Sequence, residues 1–398
     1  MGGAVPTPPS WFEYGERNTP AALTVARLRP YLAALGITRL ARQTGLDRIG
    51  IPCFSAIRPA GLTLSVSQGK GRDDAGAMAS ALMEAAEFAV AEQSEAPSRV
   101  ATAETLRLAG ETFYDAARLL PAEHPLPTGA PIRWLRGSSW PSHDGVWIPR
   151  DALTIGEPAT DLPEVGRSTN GLASGNSTEE ALFHAICELL ERDATSLWSL
   201  LPDPQRLATE FSIDVVDDAV IQAFGRQIAD ADLELRLFDQ TTDLGVPCVM
   251  AVISEQGSGN ARLFDIAAGY GCHPTGTRAI GRAITEAAQT RITNIAGGRD
   301  DFMPAEYSEE VDESVAFLAT PASNRGQPPT WLAPDTPLPE MLALLAQRIG
   351  PTAGIVWSEL GGARYGISVV RALSAMLEDR ETNVNWTPGP RALAVLDR

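Results

Sequence analysis

The stretch GYGCHPTGTRAIGRAITEAAQTRITNIAGGRDD, residues 269–301, places a glycine-rich turn before a helical pattern and ends on Arg-Asp-Asp. At about 100° per residue, one face of the predicted helix carries four polar side chains, Arg278, Arg282, Glu286 and Gln289. The opposite face is apolar and carries Ile280, Ile284 and Ala287. The polar face is either an internal salt-bridge ladder, with two cations flanking one acid, or a face that holds a ligand.

A second polar helix is predicted in SVSQGKGRDDAGAMASALMEAAEFAVAEQ, residues 65–93. Ser80, Glu84 and Glu87 fall within about 60° of one another on the helix, and an apolar face lies behind them. One interpretation is a solvated acidic face. However, no Lys or Arg occurs between Arg72 and Arg99, so the i,i+4 ion pairs that usually support an exposed face are missing. That absence weakens the solvated-face interpretation.

A third helix is predicted in STNGLASGNSTEEALFHAICELLERDA, residues 168–194, where Ser177 and Glu180 match a capping box. One face of this helix carries Glu180, His184, Cys187, Glu188 and Glu191. Glu180 has the spacing of a cap, and His184 and Cys187 fit packing better than metal ligation, because no partners stand at ligand spacing. Glu188 and Glu191 are the functional candidates. The preceding loop offers three polar side chains for a ligand, Ser168, Asn170 and Ser174.

All three helices place carboxylates three or four residues apart in front of an apolar face. Such an arrangement can gather acids around Mg²⁺, which prefers hard oxygen ligands and is usually shared with substrate phosphates. Arg282 and Lys70 could then contact phosphate oxygens directly. The three segments together therefore favour a site for Mg²⁺ and a phosphate-bearing ligand.

The chain of 398 residues is 44% apolar and 6% aromatic, which is typical of a globular protein with an aliphatic core. Apolar runs such as residues 245–253 predict buried strands that alternate with Ala-rich helices. The expected fold class is mixed α/β, as one large domain with subdomains. We find no internal repeat in the pattern. The Pro- and Gly-rich region 121–143 predicts a surface connection.

A formal net charge of −18 and the lack of a basic stripe argue against a nucleic-acid partner. No run of eighteen apolar residues and no secretory signal pattern occur, which predicts a cytoplasmic protein that does not enter the membrane. The four cysteines, at positions 53, 187, 248 and 272, are far apart in sequence without a Cys-x-x-Cys pair. This spacing predicts neither a structural zinc site nor a disulfide framework.

Three segments, in order, resemble the YcaO family: SQGKG with SALMEAAE, STNGLASGN with EEALFHAICELLERDA, and GYGCHPTGTRAIGRAITEAAQTR with GGRDD. The likeness runs from about Thr38 to Gly389. The phrase Gly-Lys-Gly is not a Walker loop, because Leu64 and Gly71 stand where that motif requires Gly and Ser or Thr. The expected division is an N-terminal tail and lead-in over 1–37, a catalytic domain over 38–389 and a C-terminal tail over 390–398.

The resemblance implies an ATP-binding α/β fold in which nucleotide and Mg²⁺ lie between helices. The implied cofactor contacts come from Lys70, Ser80, Glu84, Glu87, Ser174, Asn176, Glu188, Arg192 and Gln289. Glu84, Glu87, Glu188, Glu191 and Glu286 are the implied Mg²⁺ ligands. Glu191, Glu286 and Arg282 are the implied catalytic residues. On this interpretation, the helix from Thr277 to Asn294 holds ATP and its metal.

Family members phosphorylate a backbone amide oxygen of a peptide, and the attacking nucleophile then determines the product. The end NWTPGPRALAVLDR does not match the proline-rich tail of many azoline-forming members. TGLDRIGIPCFSAIRP, residues 44–59, is similar to the stand-alone branch that is paired with a TfuA protein and makes thioamides. VVRALSAMLED, residues 369–379, lacks the proline and glycine expected near the end of the family core.

We therefore expect thioamide formation with an external sulfur source. The alternatives are an azoline cyclodehydratase, an accessory factor for ribosomal-protein methylthiolation and a non-catalytic scaffold, although the scaffold fits poorly with a complete set of matched acids. Expected partners are a precursor peptide or protein substrate and a TfuA-like or leader-binding protein. A second partner is expected because nothing before Thr38 is long enough for a leader-binding module. A homodimer is one option for assembly.

Overall fold

The computed structural model of the protein describes residues 17, 19–94, 96–156, 160–255, 265–297, 318 and 326–397. Its described strands are β1 (Arg39–Arg42), β2 (Cys53–Ile57), β3 (Val66–Lys70), β4 (Ser98–Ala101), β5 (Ile132–Trp140), β6 (Gly145–Pro149), β7 (Leu172–Gly175), β8 (Glu210–Phe211), β9 (Leu233–Asp239), β10 (Cys248–Glu255), β11 (Ile266–Cys272), β12 (Ile355–Gly361) and β13 (Ser368–Ser374). Its described helices are α1 (Ala21–Leu28), α2 (Asp74–Glu92), α3 (Ala103–Leu108), α4 (Arg150–Leu153), α5 (Thr178–Ser199), α6 (Asp203–Ala208), α7 (Ala219–Asp230), α8 (Gly276–Ala296), α9 (Leu338–Ala353) and α10 (Pro390–Leu396).

The strands form three antiparallel sheets. The first has the order β1-β2-β3, and the second, with β6 beside β5, has the order β4-β5-β12-β13-β7. The third has the order β11-β10-β9-β8. Helices and antiparallel sheets together confirm the expected mixed α/β class.

Each sheet ends on one strand that leads directly into a long helix: β3 into α2, β7 into α5 and β11 into α8. Asp73, Ser177 and Thr275 are the N-cap residues of the three helices. The Asp73 carboxylate accepts from the Gly76 N–H and the Ser177 hydroxyl accepts from the Glu180 N–H, which satisfies helix donors that lack an intrahelical partner. We call these pairs the first, second and third strand–helix units.

Small residues let each helix lie directly on its strand. A Cβ atom on Gly69 of β3 would stand 2.1 Å from the Ala81 backbone nitrogen in α2. A Cβ atom on Gly271 of β11 would likewise stand 2.2 Å from the Ala279 carbonyl oxygen in α8. Neither position accepts a larger residue without moving the helix, because the atoms in contact are backbone.

The three strand–helix units share one spacing, counted from a small residue in the strand. The helix N-cap lies four residues after this small residue, and two alanines lie eight and twelve residues after it. Two polar residues lie fifteen and eighteen residues after it. The members, unit by unit, are Gly69, Asp73, Ala77, Ala81, Glu84 and Glu87; Ala173, Ser177, Ala181, Ala185, Glu188 and Glu191; Gly271, Thr275, Ala279, Ala283, Glu286 and Gln289. The expectation that the chain contains no internal repeat is therefore wrong. The units are far apart and share mostly small residues, so their similarity is visible only once strand and helix are aligned.

The core lies where the long helices cover the sheets. Buried side chains of α1 and α2 pack with the first two sheets. Those of α5 and α9 pack on β12 and β13, and those of α7 and α8 pack on β9 and β10. The predicted buried strand over 245–253 is confirmed by β10, which is buried over Cys248–Ser254. Consequently one face of α2, α5 and α8 is fixed by packing and the other is left for the polar side chains.

The prediction of a surface connection over 121–143 is wrong in its second half. Residues 132–140 form β5, with neighbours on both sides and with Trp134 and Leu135 buried. The apolar alternation of this segment decides its structure, and the proline and glycine content of the preceding residues does not.

Both predicted terminal segments include packed structure. In the lead-in, Val25, Leu28 and Leu35 are buried in the core around α1. Near the other end, α10 buries Ala392, and the Gly389 and Ala392 N–H groups donate to the buried Glu378 carboxylate. Among the described helices, none is long and apolar enough to cross a lipid bilayer.

Candidate active site

The polar ends of the three strand–helix units face one another. The Ser174 hydroxyl of the second unit donates to Glu87 Oε2 of the first at 3.0 Å. The Cys272 N–H of the third unit donates to Glu191 Oε2 of the second at 2.9 Å. The Lys70 ammonium of the first unit pairs with Glu286 of the third. Lys70, Ser174 and Cys272 each follow the small strand residue by one position, so three contacts from equivalent strand positions close a ring around one centre.

Five predicted metal ligands meet at this centre, and we call them the carboxylate cluster: Glu84, Glu87, Glu188, Glu191 and Glu286. Two of them also accept from their own strand, Glu84 from the Gln68 N–H and Glu286 from the Tyr270 N–H, each at 3.3 Å. The structure therefore supports neither a solvated acidic face on α2 nor an internal salt-bridge ladder confined to α8.

Burial and mutual repulsion oppose ionisation of three cluster members. Burial, then the charges of Glu188 and Glu84, raises the pKa of Glu87 well above its ordinary value. Burial raises the pKa of Glu188 to about 7, and burial with the neighbouring Glu286 raises the pKa of Glu191. Within the described chain, Glu87, Glu188 and Glu191 form no ion pair. Such acids gain most from a cation placed between them.

Four cations surround the cluster. Burial acts to raise the pKa of Glu286, but the Lys70 charge holds it below its ordinary value. Arg192 Nη1 donates to Glu381 Oε2 at 3.4 Å. Burial acts to lower the pKa of Arg192, but the Glu191 and Glu188 charges raise it. Burial acts to lower the pKa of Arg282, but the Glu191 charge raises it. The buried Nε of Arg282 has no partner among the described residues. The fourth cation is Arg371 of β13.

Three predicted contacts lie at the margin of this centre or outside it. The Asn176 amide donates to Glu180 and its oxygen accepts from Arg27 at 3.1 Å, so Asn176 organises the start of α5 in this structure. Ser80 and Gln289 are partly buried on α2 and α8, at the same helix faces as Glu84 and Glu286. Arg299, Asp300 and Asp301 of the opening stretch lie outside the described residues.

Sequence reasoning missed Arg371, Asp379 and Glu381. Burial lowers the pKa of Arg371 to about 10, against the charges of Glu188, Asp379 and Glu87. A usable signal was present, since a lone arginine in the apolar strand pattern SVVRAL is costly to bury without a purpose. Glu381 carried no such signal, because it lies in a polar loop and reaches Arg192 only in the folded chain.

Three of the four cysteines come together beside the cluster although they are distant in sequence. Cys248 and Cys272 are directly opposite in β10 and β11, and Cys187 lies against Cys272. All three are free thiols, and burial raises the pKa of Cys187 and Cys272. The sequence spacing did not predict this contact, but buried protonated thiols fit the packing role assigned to Cys187.

The residues at the centre fit a magnesium nucleotide. Within the described residues, no three His, Cys, Asp or Glu side chains are placed to hold one ion by themselves. This agrees with the ordinary mode of Mg²⁺, which takes one or two carboxylates and completes its shell with water and phosphate oxygens. The unpartnered buried guanidinium nitrogen of Arg282 offers a donor for an anionic group such as phosphate.

Several known proteins resemble this chain in sequence or in fold. An uncharacterized protein from the tfuA 3′ region of Rhizobium leguminosarum bv. trifolii is 42% identical over 313 residues, 77% of this chain and 73% of that protein. YcaO from Methanopyrus kandleri, solved with AMPPCP and Mg²⁺, matches at 22% identity with a TM-score of 0.69, over 94% of this chain and 98% of that chain. A heterocyclase solved with substrate and cofactor matches at 20% identity with a TM-score of 0.74, over 91% of this chain and 53% of that chain, so this chain spans about half its length.

The family model described as YcaO cyclodehydratase, ATP- and Mg²⁺-binding, matches residues 68–378, which include α2, α5 and α8. The cofactors are ATP and Mg²⁺, as the sequence predicted. The chain belongs to the YcaO family of ATP-dependent peptide-modifying enzymes.

Proposed function

We propose that this protein uses ATP and Mg²⁺ to phosphorylate a backbone amide oxygen of a peptide, and that an external sulfur source then converts the amide to a thioamide. The observation that carries the proposal is the carboxylate cluster, in which three strand–helix units bring five acids and three cations to one centre beside Arg371 of β13. No packing requirement explains Glu87, Glu188 and Glu191, which are partly or fully buried and form no ion pair among the described residues.

An unactivated amide is a poor substrate because its oxygen is a poor leaving group. Bound ATP supplies a phosphoryl group for that oxygen, which can then leave as phosphate, while Mg²⁺ neutralises charge on the phosphates. The protein positions the reactants and stabilises the charge that develops. Sulfide addition forms the C–S bond, and departure of phosphate leaves the C=S group, so that amide, H₂S and ATP yield thioamide, ADP and phosphate.

The cluster residues divide these tasks. We assign Mg²⁺ ligation to Glu84, Glu87, Glu188, Glu191 and Glu286. Arg282, whose buried Nε is unpartnered, is assigned to the transferring phosphoryl group together with Glu191 and Glu286. We assign the remaining nucleotide contacts to Lys70, Ser80, Ser174, Asn176, Arg192 and Gln289. Lys70 and Ser174 already hold cluster acids in place, so they orient ligands as well as bind.

The rhizobial relative supports thioamide formation and a TfuA-type partner, because it comes from the tfuA 3′ region and shares 42% of its aligned residues with this chain. Azoline formation is the second candidate, since the matching family model describes a cyclodehydratase and one similar fold is a heterocyclase. Both reactions share amide activation and differ only in the nucleophile.

Mass spectrometry of a reconstituted reaction distinguishes the two candidates. Affinity purification of the tagged protein from its own cells provides the partner and the peptide, which are then combined with ATP, Mg²⁺ and sulfide. We expect a product in which one oxygen is replaced by sulfur, and none when ATP or sulfide is omitted. Loss of one water without sulfide would replace the thioamide assignment by cyclodehydration. No ATP-dependent change in any co-purified peptide would refute amide activation itself.

A further inference from the structure

A narrow pocket opens beside the carboxylate cluster between β13 and the loop before β7. Its enclosed part has a volume of about 30 Å³, and the space reaches about 440 Å³ when the open mouth is counted. Its lining includes Arg371, Asn170, Ser168, Tyr114, Leu189 and Asp379. Arg371 and Leu189 join it to the cluster, because the Arg371 charge acts on Glu188, the residue before Leu189 in α5. A group bound in this pocket therefore lies next to the centre where amide activation is proposed.

Arg371 brings unused donors to the pocket. Its side chain is only 2% exposed, yet Nε and Nη1 have no hydrogen-bond partner among the described residues. Burying guanidinium N–H groups without partners costs free energy, and a ligand with an acceptor oxygen would remove that cost. By contrast, the buried Arg236 is paired through two nitrogens with Glu210.

Asn170 brings an unused acceptor to the same pocket. Its Nδ2 donates to Asp379 Oδ2 at 2.9 Å, and because a carboxylate only accepts, this bond fixes which end of the amide faces Asp379. The opposite atom, Oδ1, is buried and has no partner among the described residues. Asn170 is 7% exposed, so solvent does not readily satisfy it.

A pocket with both unused donors and an unused acceptor selects the chemical class of its ligand. A carboxylate only accepts and a phosphate chiefly accepts hydrogen bonds, so either group would leave Asn170 Oδ1 unsatisfied and would lie near the Asp379 carboxylate. An ammonium group offers donors only and would meet the Arg371 charge. A peptide unit offers a carbonyl oxygen and an N–H group and carries no net charge.

We propose that this pocket binds one peptide unit of the substrate main chain, with Arg371 Nε and Nη1 donating to its carbonyl oxygen and Asn170 Oδ1 accepting from its N–H group. The inference rests on the proposed function only in naming the ligand as part of the modified peptide. Recognition through main-chain atoms would fix the register of the peptide at the cluster without regard to the side chain at that position.

Binding of a peptide without side chains tests the pocket separately from the chemistry. The probe is acetyl-triglycine methylamide, titrated by ligand-observed NMR into the full protein with AMPPCP and Mg²⁺. Arg371→Lys keeps the charge but loses the planar pair of donors, and we expect about tenfold weaker binding of the probe when both proteins are saturated with AMPPCP. Arg291→Lys is the matched control. Arg291 of α8 is also buried with an unpartnered Nε, but it does not line the pocket and pairs with Glu255 of β10.

A second variant and a second probe keep the test decisive if Arg371→Lys folds poorly. In the ester analogue of the probe, one amide N–H at a time is replaced by oxygen. We expect one ester position to weaken binding to the wild type and to have no effect in Asn170→Ala, because the side-chain acceptor is already missing there. Equal probe affinities in wild type, Arg371→Lys and Asn170→Ala would overturn the proposal. Probe binding without any ATP-dependent peptide product would instead reject the proposed function and leave the pocket assignment standing.

Discussion

Glu210 and Glu92 are buried, as is Glu191 of the carboxylate cluster, but each of the first two lies against an arginine. Arg236 donates through two nitrogens to Glu210 at 2.8 and 2.7 Å, and Arg58 donates to Glu92 at 2.6 Å. Although burial acts to raise it, hydrogen bonds from Arg58 and Thr63 hold the pKa of Glu92 below its ordinary value. In the cluster, burial instead raises the pKa of Glu87, Glu188 and Glu191.

The difference separates two uses of a buried charge. A carboxylate paired with an arginine is neutralised within the chain and contributes to folding, whereas the cluster leaves its charge for a ligand to neutralise. The paired acids should therefore matter for stability and not for nucleotide binding, and the cluster acids should show the reverse.

The largest expected effect on stability is at the Arg236–Glu210 pair. Arg236→Met leaves Glu210 buried without its partner, so we expect the free energy of unfolding to fall by about 3–5 kcal/mol. Urea denaturation measures it. The double variant Arg236→Met with Glu210→Leu is the control, and it should recover most of the loss because no charge remains buried. Wild-type stability in Arg236→Met would mean that the pair is not structural.

Arg236→Met is expected to destabilise the protein, whereas Glu191→Gln is expected to stabilise it when neither nucleotide nor metal is bound. Gln keeps the hydrogen bond from the Cys272 N–H and removes a charge that burial disfavours, so the free energy of unfolding should rise by about 1 kcal/mol at pH 8. Urea denaturation with a chelator present measures it. A clear loss of stability would place Glu191 among the structural acids.

The pKa of Glu188 gives a prediction for pH. The folded value is about 7 and the unfolded value is about 4.3, so between these values the folded state binds more protons. The Glu188 contribution to stability is therefore fully present below about pH 4.3 and is lost as pH rises through 7, by at most about 1.4 kcal/mol per pH unit.

The contribution is measured by urea denaturation from pH 5 to 8, as the difference in free energy of unfolding between wild type and Glu188→Gln. As pH rises across this interval, we expect the wild type to lose stability relative to the variant. Glu179→Gln, an exposed position in the same helix, should follow the wild type. A constant difference between wild type and Glu188→Gln would show that Glu188 titrates like an ordinary surface acid.

The smallest effect is expected at the buried thiols. Burial raises the pKa of Cys187 and Cys272, so both stay protonated and neither is a nucleophile at neutral pH. Cys187→Ala and Cys272→Ala should each change peptide turnover by less than about twofold and lower stability by about 1 kcal/mol. A tenfold loss of turnover with sulfide, in a folded variant, would instead assign a sulfur-relay role to that thiol.

Local pattern was sufficient to find the polar faces of α2, α5 and α8, because helix periodicity places Glu84, Glu188 and Glu286 in front of small and apolar residues. It also gave the helix limits within two residues, since α8 spans Gly276–Ala296 where Thr277 to Asn294 was predicted. Periodicity cannot show which helices face one another, and that knowledge came from the family resemblance.

The features that sequence reasoning missed all depend on distant contacts. Arg371 and Asn170 line one pocket although they are 201 positions apart, and Cys187 meets Cys272 across 85 positions. Likewise, β5 is an interior strand because β4, β6 and β12 pair with it. The Pro- and Gly-rich residues that precede β5 concealed this strand in the sequence. Long-range pairing decides these cases, and local propensity carries little information about it.

Calorimetric titration of AMPPCP with Mg²⁺ into Glu191→Gln tests most directly whether the carboxylate cluster holds the magnesium nucleotide. The wild type and Glu179→Gln, an exposed neighbour on α5, serve as references. We predict that Glu191→Gln loses at least about a hundredfold in affinity, about 2.7 kcal/mol, while Glu179→Gln binds as the wild type does. Wild-type affinity in folded Glu191→Gln would contradict the account and would place the nucleotide elsewhere on the protein.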